Sequence, residues 1–211
     1  MVENVIQAQI FDLTGGLLCL DFANTVDDRT EVRPQELLNS YTDLVSWSEQ
    51  AQVLTEREAQ RLLEKAARRP LEASKVLQQA IAIREAIFRI FKAVAEDASP
   101  VDEDLAILSS AVADTQDHAR IVSKENGFKW DWVGKAGELD CMLWPIARSA
   151  ADFLTSDDLD TVRVCGSDTC NWLFLDTSKN HSRRWCNMKS CGNREKARRF
   201  YSRKKSSSTV S

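Results

Sequence analysis

The stretch CGSDTCNWLFLDTSKNHSRRWCNMKSCGNREKARRF, Cys165 to Phe200, decides how this 211-residue chain is read. It holds four of the six cysteines, spaced as Cys165-x4-Cys170 and Cys186-x4-Cys191 with fifteen residues between the pairs. A tetrahedral zinc site needs two chelating pairs, each on a tight turn, joined by an intervening element. Two disulfides are the alternative. The opening Met-Val-Glu-Asn-Val has no basic n-region, so a cytoplasmic chain with reduced thiols is expected. The spacing therefore predicts one structural Zn2+ held by Cys165, Cys170, Cys186 and Cys191. Four thiolates close the coordination sphere and leave no place for an activated water.

Working outward, Gly166 to Thr169 is a turn-forming set that suits a knuckle. Trp172 to Leu175 reads as a strand, Asp176 to Ser182 as a polar turn, and Arg183 to Cys186 as a returning strand. From about Gly192 the pattern is helical, with Ala197, Phe200 and Tyr201 as a narrow apolar stripe assigned to the finger's own core. Knuckle, hairpin and a helix carrying the last ligand make a treble clef. His181, at the hairpin tip, lies roughly 15 Å of strand from the metal and is read as a turn histidine. Cys19 and Cys141 sit among leucines and read as small buried hydrophobes.

On these residues the chain resembles the bacterial CGNR zinc finger: the tetrapeptide Cys191-Gly192-Asn193-Arg194 stands intact, preceded by Cys170-Asn171-Trp172-Leu173-Phe174-Leu175-Asp176 and Arg183-Arg184-Trp185-Cys186. The start of the chain, with Gly16 and Leu20-Asp21-Phe22-Ala23-Asn24-Thr25, is similar to the ABATE domain that precedes this finger in family members. The resemblance implies a transcription regulator.

Charge points the same way. Residues 1–162 carry 16 basic and 29 acidic side chains, net −13; residues 163–211 carry 12 and 3, net +9. An acidic body with a basic end predicts an anionic partner for that end. The nucleic-acid-binding candidates are Arg183 and Arg184 from the hairpin, Lys189 from the second knuckle, and Arg194, Lys196, Arg198, Arg199, Arg203 and Lys204 from the helix. Glu195 is the one acid from residue 177 onward. Asn193 and Arg194 have a second candidate role, in capping the helix or bonding the knuckle backbone. With Phe200 and Tyr201 assigned to the core, no platform remains for stacking single-stranded bases, and duplex DNA is the expected partner. The alternative is an RNA-binding or protein-interaction module in which the finger is scaffold.

The first 158 residues read as a separate, mainly helical α+β domain able to fold alone; 159–205 is the finger and 206–211 a disordered tail. Ile6–Phe11 and Leu17–Phe22 suggest a hairpin about Gly15-Gly16. Pro34 to Leu38 opens a helix toward Glu49, and Thr55-Glu56-Arg57-Glu58 is a capping box. Leu71 to Ala95 is the longest helical pattern, with Val76, Ala80, Ile83, Ile87, Ile90 and Val94 as its buried stripe. Val101–Asp117 and Leu139–Leu154 are helical as well, and Asn126-Gly127 between alternating runs marks a hairpin in which Trp130 and Trp132 share a face, for core or dimer packing. Asp21, Asn24, Thr25 and Arg29 form a polar cluster where a small-molecule effector could bind, or where they could simply cap a helix and form an ion pair. No membrane span is expected. No nucleophile, phosphate loop or acid–base pair stands out, so the reading is non-enzymatic.

Overall fold

The structure, a computed structural model, describes residues 10–134 and 137–207. Its element order is α1 (Leu18–Ala23), β1 (Val26–Asp27), β2 (Gln35–Glu36), α2 (Tyr41–Gln50), α3 (Glu56–Arg68), α4 (Pro70–Ala95), α5 (Asp102–Ala113), β3 (Ala119–Lys124), β4 (Gly127–Trp132), α6 (Leu143–Leu154), β5 (Val162–Val164), β6 (Leu173–Leu175) and α7 (Asn193–Ser207). Among the described residues, no helix is long and apolar enough to cross a membrane.

Helix α4 organises the body. Pro70 at its first turn loses no hydrogen bond there, and the helix then runs 26 residues. Val76, Ala80, Ile83, Ile87 and Ile90 are buried as their spacing predicts, while Val94 at the frayed end is half-buried. Helices α1, α5 and α6 pack on it, α6 contributing Trp144, Ile146, Ala147, Ala150 and Phe153 to the core. The capping box forms as expected: the Thr55 hydroxyl accepts from the Glu58 N–H, and the Glu58 carboxylate accepts from the Thr55 N–H at 2.8 Å.

Three expectations for the body are corrected. Leu17–Phe22 is not a strand but leads into the buried helix α1; it is apolar on nearly every side, and such a run does not reveal its period. The Asp21 carboxylate holds this turn by accepting the Gly15 N–H at 2.7 Å, and a Cβ on Gly15 would lie 2.9 Å from the Asp21 nitrogen. Ile6–Gln9 lie outside the described residues. Gln35–Glu36 do not open a helix: they pair antiparallel with Val26–Asp27, and α2 starts at Tyr41, where the Ser40 hydroxyl accepts from the Asp43 N–H. The β3–β4 hairpin forms, but its two turn residues are Glu125 and Asn126, with Gly127 opening β4 at φ +123°.

Burial raises the Asp21 carboxyl to about 6. A carboxyl raised on folding favours its neutral form, so this contribution to stability is present below the unfolded value near 3.8 and is lost as pH rises through about 6. Asp21→Asn keeps an acceptor for Gly15 without the charge. It is expected to raise the melting temperature at pH 8 and leave it unchanged at pH 4, as thermal melts at both pH values will show.

The C-terminal unit differs from the expected treble clef in one respect. Trp172–Leu175 does contain a strand, β6, but its antiparallel partner is β5, with Val162 opposite Leu175 and Val164 opposite Leu173. Arg183–Cys186 is not a strand, because its polar groups bond elsewhere: the Arg183 N–H goes to the Asp176 carboxylate and the Arg183 guanidinium to carbonyls of its own loop.

Nor does packing stop at residue 158. Val162 and Leu173 belong to the same apolar core as α1, α4 and α6. Buried Asn24 closes both hydrogen bonds of Leu173, donating to its carbonyl at 2.8 Å and accepting from its N–H at 2.9 Å. The Trp172 indole donates to the Val26 carbonyl, and the Leu175 N–H to the Gly15 carbonyl. The core thus continues across residue 158 into β5 and β6. The tail expectation meets the structure only at Ser206 and Ser207, which close α7; the remainder lies outside the described residues.

Candidate metal centre and the basic helix

Two short backbone features present the thiolates. The first is the loop between β5 and β6: Cys165 follows β5, the chain turns through Gly166–Thr169, and Cys170 precedes β6. Gly166 is needed here, since its N–H donates to the Arg184 carbonyl at 2.8 Å and a Cβ would lie 3.1 Å from that oxygen. The second is the wide turn Met188–Gly192, which carries Cys191 to the start of α7. A Cβ on Gly192 would fall 2.5 Å from the Met188 sulfur.

All four cysteines are buried and their sulfurs lie within 4.8 Å of one another. The Cys170–Cys186 and Cys186–Cys191 sulfur pairs are each 3.7 Å apart. Zinc–sulfur bonds of about 2.3 Å put tetrahedral sulfurs about 3.8 Å apart, whereas a disulfide needs about 2.05 Å. The cluster has the size of a zinc tetrahedron. The Cys186 N–H points at the Cys165 sulfur at 3.4 Å. The bonds among the sulfurs themselves pull the Cys165 thiol down and push the Cys170 and Cys186 thiols up, since they share protons, whereas the N–H groups of Cys186 and Ser167 favour a thiolate at Cys165. Such donors favour the thiolates that a metal requires. Zinc would act here as a cross-link, tying the β5–β6 loop to the start of α7. Cys19 and Cys141 are fully buried and outside the cluster, and burial pushes the Cys19 thiol up to about 12.

The tetrapeptide 191–194 now reads residue by residue: a ligand, a glycine pressed against Met188, an asparagine whose amide donates to the Lys189 carbonyl at 3.1 Å, and an arginine whose guanidinium reaches Thr169 Oγ1 at 2.7 Å. Asn193 thus closes the second knuckle on itself, and Arg194 braces it against the first. Asp176, missed in the sequence, anchors the loop between the cysteine pairs: its carboxylate accepts from the Ser178 hydroxyl and N–H and from the Arg183 N–H, and these donors hold its pKa below the usual carboxylate range. The Asp176-x-Ser178 pattern was the available signal.

The cations sort into groups. Arg183 is exposed but engaged by the finger: its guanidinium lies over the Phe174 ring at 4.6 Å and donates to the carbonyls of Leu175, Trp185 and Cys186. Arg198 pairs with Asp168. Arg184, Lys189, Arg194, Lys196 and Arg199 are exposed. Arg203 and Lys204 continue α7. Glu195, at 6 % exposure, turns inward toward the buried Ser167 hydroxyl at 3.4 Å. Phe200 and Tyr201 correct an expectation. They are 60 % and 69 % exposed, edge to face with each other, and are not in the finger's core. A two-turn finger closed by metal has no interior left for them.

The proposed effector cluster is brought together but is engaged by the protein. Besides Asp21 and Asn24, the Thr25 hydroxyl donates to the Phe22 carbonyl. Arg29 bridges Glu85 and the Ala23 carbonyl and lies 3.9 Å from the centre of the Phe88 ring. Beside it, buried Arg84 holds Glu36 with two bonds of 2.6 and 2.7 Å, joining β2 to α4. The sequence did not show this pair, since 48 residues separate them.

The site and fold define a helical body fused to a four-cysteine zinc finger. The chain belongs to the ABATE family, described as "Putative stress-induced transcription regulator", whose model matches residues 16–157; the CGNR zinc finger model matches residues 161–204. No curated protein matches the chain.

Proposed function

We propose that the protein is a zinc-dependent DNA-binding regulator in which the cationic face of α7 and the knuckles meets duplex phosphates. The supporting observation is the inward turn of Glu195: the one acid on the helix is removed from a surface that otherwise carries Arg194, Lys196, Arg198 and Arg199. A free protein gains nothing from such repulsion, while release of counterions from DNA rewards it. The acidic body supplies the regulatory half of the molecule, through an effector or a partner copy, and the reading assigns it no catalysis.

Asp168 tempers this surface by pairing with Arg198. Asp168→Asn removes the nearer of the two carboxylates beside that guanidinium, leaving Glu195 at 3.9 Å, so duplex affinity is expected to rise about two- to tenfold, with the log–log salt slope steeper by up to about one. Fluorescence anisotropy on a labelled duplex across a salt series, with and without a zinc chelator, tests both this and the function. Unchanged affinity would show that Arg198 does not face phosphate.

The exposed Phe200–Tyr201 pair favours a second reading, an RNA or unpaired-base partner that stacks on these rings. Competition of the duplex with single strands of equal length separates the two.

A further inference from the structure

Among the described residues, the β3–β4 hairpin carries an apolar face that nothing fully covers, and its charge bears on what would. Directly opposed residues share a face, so Ala119 with Trp132, Ile121 with Trp130 and Ser123 with Phe128 form one surface; Arg120 with Asp131 and Val122 with Lys129 form the other. The base of the first surface is seated on the body. Trp132 lies 6.3 Å from Trp144 between ring centres, and the Arg148 guanidinium covers the Trp130 ring at 4.2 Å. Beyond this seat the face continues into solvent: Ile121 is 63 % exposed, Phe128 73 % and Trp130 40 %. The sheet has only two strands, so each also has an open edge. A two-stranded hairpin overhanging its support is marginal in water unless something covers its apolar side.

We infer that this face is the contact between two copies of the chain, packed about a two-fold axis. Ile121, Phe128 and Trp130 form one exposed apolar patch on this face, of the kind that serves as an interaction site. That makes a dry centre for an interface of about 800 Å² per partner, with the hairpin flanks as the rim. Charge selects the second copy. Residues 1–162 carry net −13, so two bodies repel over most of their surface. The hairpin from Ala119 to Trp132 carries three basic and two acidic side chains, close to balance, so two hairpins can meet without the repulsion that net −13 sets between the bodies. A nucleic acid would choose the +9 end instead, and a basic protein would choose the rest of the body. This inference does not rest on the DNA reading.

The test is the mass of the full zinc-loaded chain by sedimentation over a concentration series. A monomer–dimer equilibrium is expected, strengthened by added salt, which screens the repulsion between bodies. Phe128→Asp, at an exposed position, should weaken dimerisation at least tenfold with the helical circular dichroism spectrum unchanged, and Ile121→Asp is the second variant should the first fold poorly. Lys129→Gln, on the opposite face, should keep the dimer. A wild-type chain that stays monomeric at all concentrations, or dimers that survive both aspartate variants, would overturn the proposal.

Discussion

A chain ending at Asp158 is expected not to give a cooperative thermal transition, although helices α1 to α6 are all present in it. Removal of β5 and β6 takes Val162 and Leu173 from the core. Deleting one large buried side chain commonly costs about 2–5 kcal/mol. It also strands the Asn24 amide, which is buried and bonds only Leu173 in this direction, at about 1–3 kcal/mol for the unsatisfied group. Domains of this size have a net stability of about 5–15 kcal/mol, so these losses are of the same order as the whole. The milder variant Cys170→Ser leaves the strands and removes the metal. Structural zinc contributes about 10–16 kcal/mol to small fingers, and through Trp172 and Leu173 its loss should be felt in the body: zinc stoichiometry falls from one to zero and the helical signal melts at lower temperature. Circular dichroism melts and metal analysis of both proteins check this. A soluble 1–158 chain that melts cooperatively at the full-length temperature would show that the shared core is dispensable.

The same contacts explain what could and could not be read beforehand. The cysteine spacing, the α4 stripe, the Thr55–Glu58 box and the β3–β4 hairpin are local patterns, and each produced the element it described. Misreadings occurred where a distant partner decided the outcome. Gln35–Glu36 is a strand because β1 and the Arg84 guanidinium are there to receive it. Leu173 pairs with Val164 instead of the Arg183 loop because the Arg183 N–H is taken by the Asp176 carboxylate and its guanidinium by three carbonyls. Asn24 lies in a polar cluster that looks like a ligand site, yet its amide meets a strand 149 residues away. Periodicity carries no information about such contacts. The basic run was legible as charge, but not how each member is used: the Arg183 guanidinium is taken up by carbonyls of the finger and Glu195 folds in, while Phe200 and Tyr201 remain out.

Duplex binding by the full chain is expected to fall steeply with salt. With about 4–6 phosphates contacted per chain, log affinity against log salt should slope by roughly −4 to −5. The structure divides the cations in advance. Arg184→Ala with Lys196→Ala removes two exposed charges and should flatten the slope by about 2, weakening binding on every sequence alike, because phosphate contacts carry no base information. Arg183→Ala should behave otherwise: its guanidinium is held by the carbonyls of Leu175, Trp185 and Cys186, so the slope should persist while the finger melts earlier and loses zinc more readily to chelator. Stripping the metal should abolish binding, since α7 is then no longer fixed to the knuckles that carry Arg184 and Lys189. Anisotropy titrations at several salt concentrations measure all of these. Salt-independent association, or full affinity after chelation, would remove duplex DNA as the partner of this helix and leave a partner recognised through Phe200 and Tyr201 in its place.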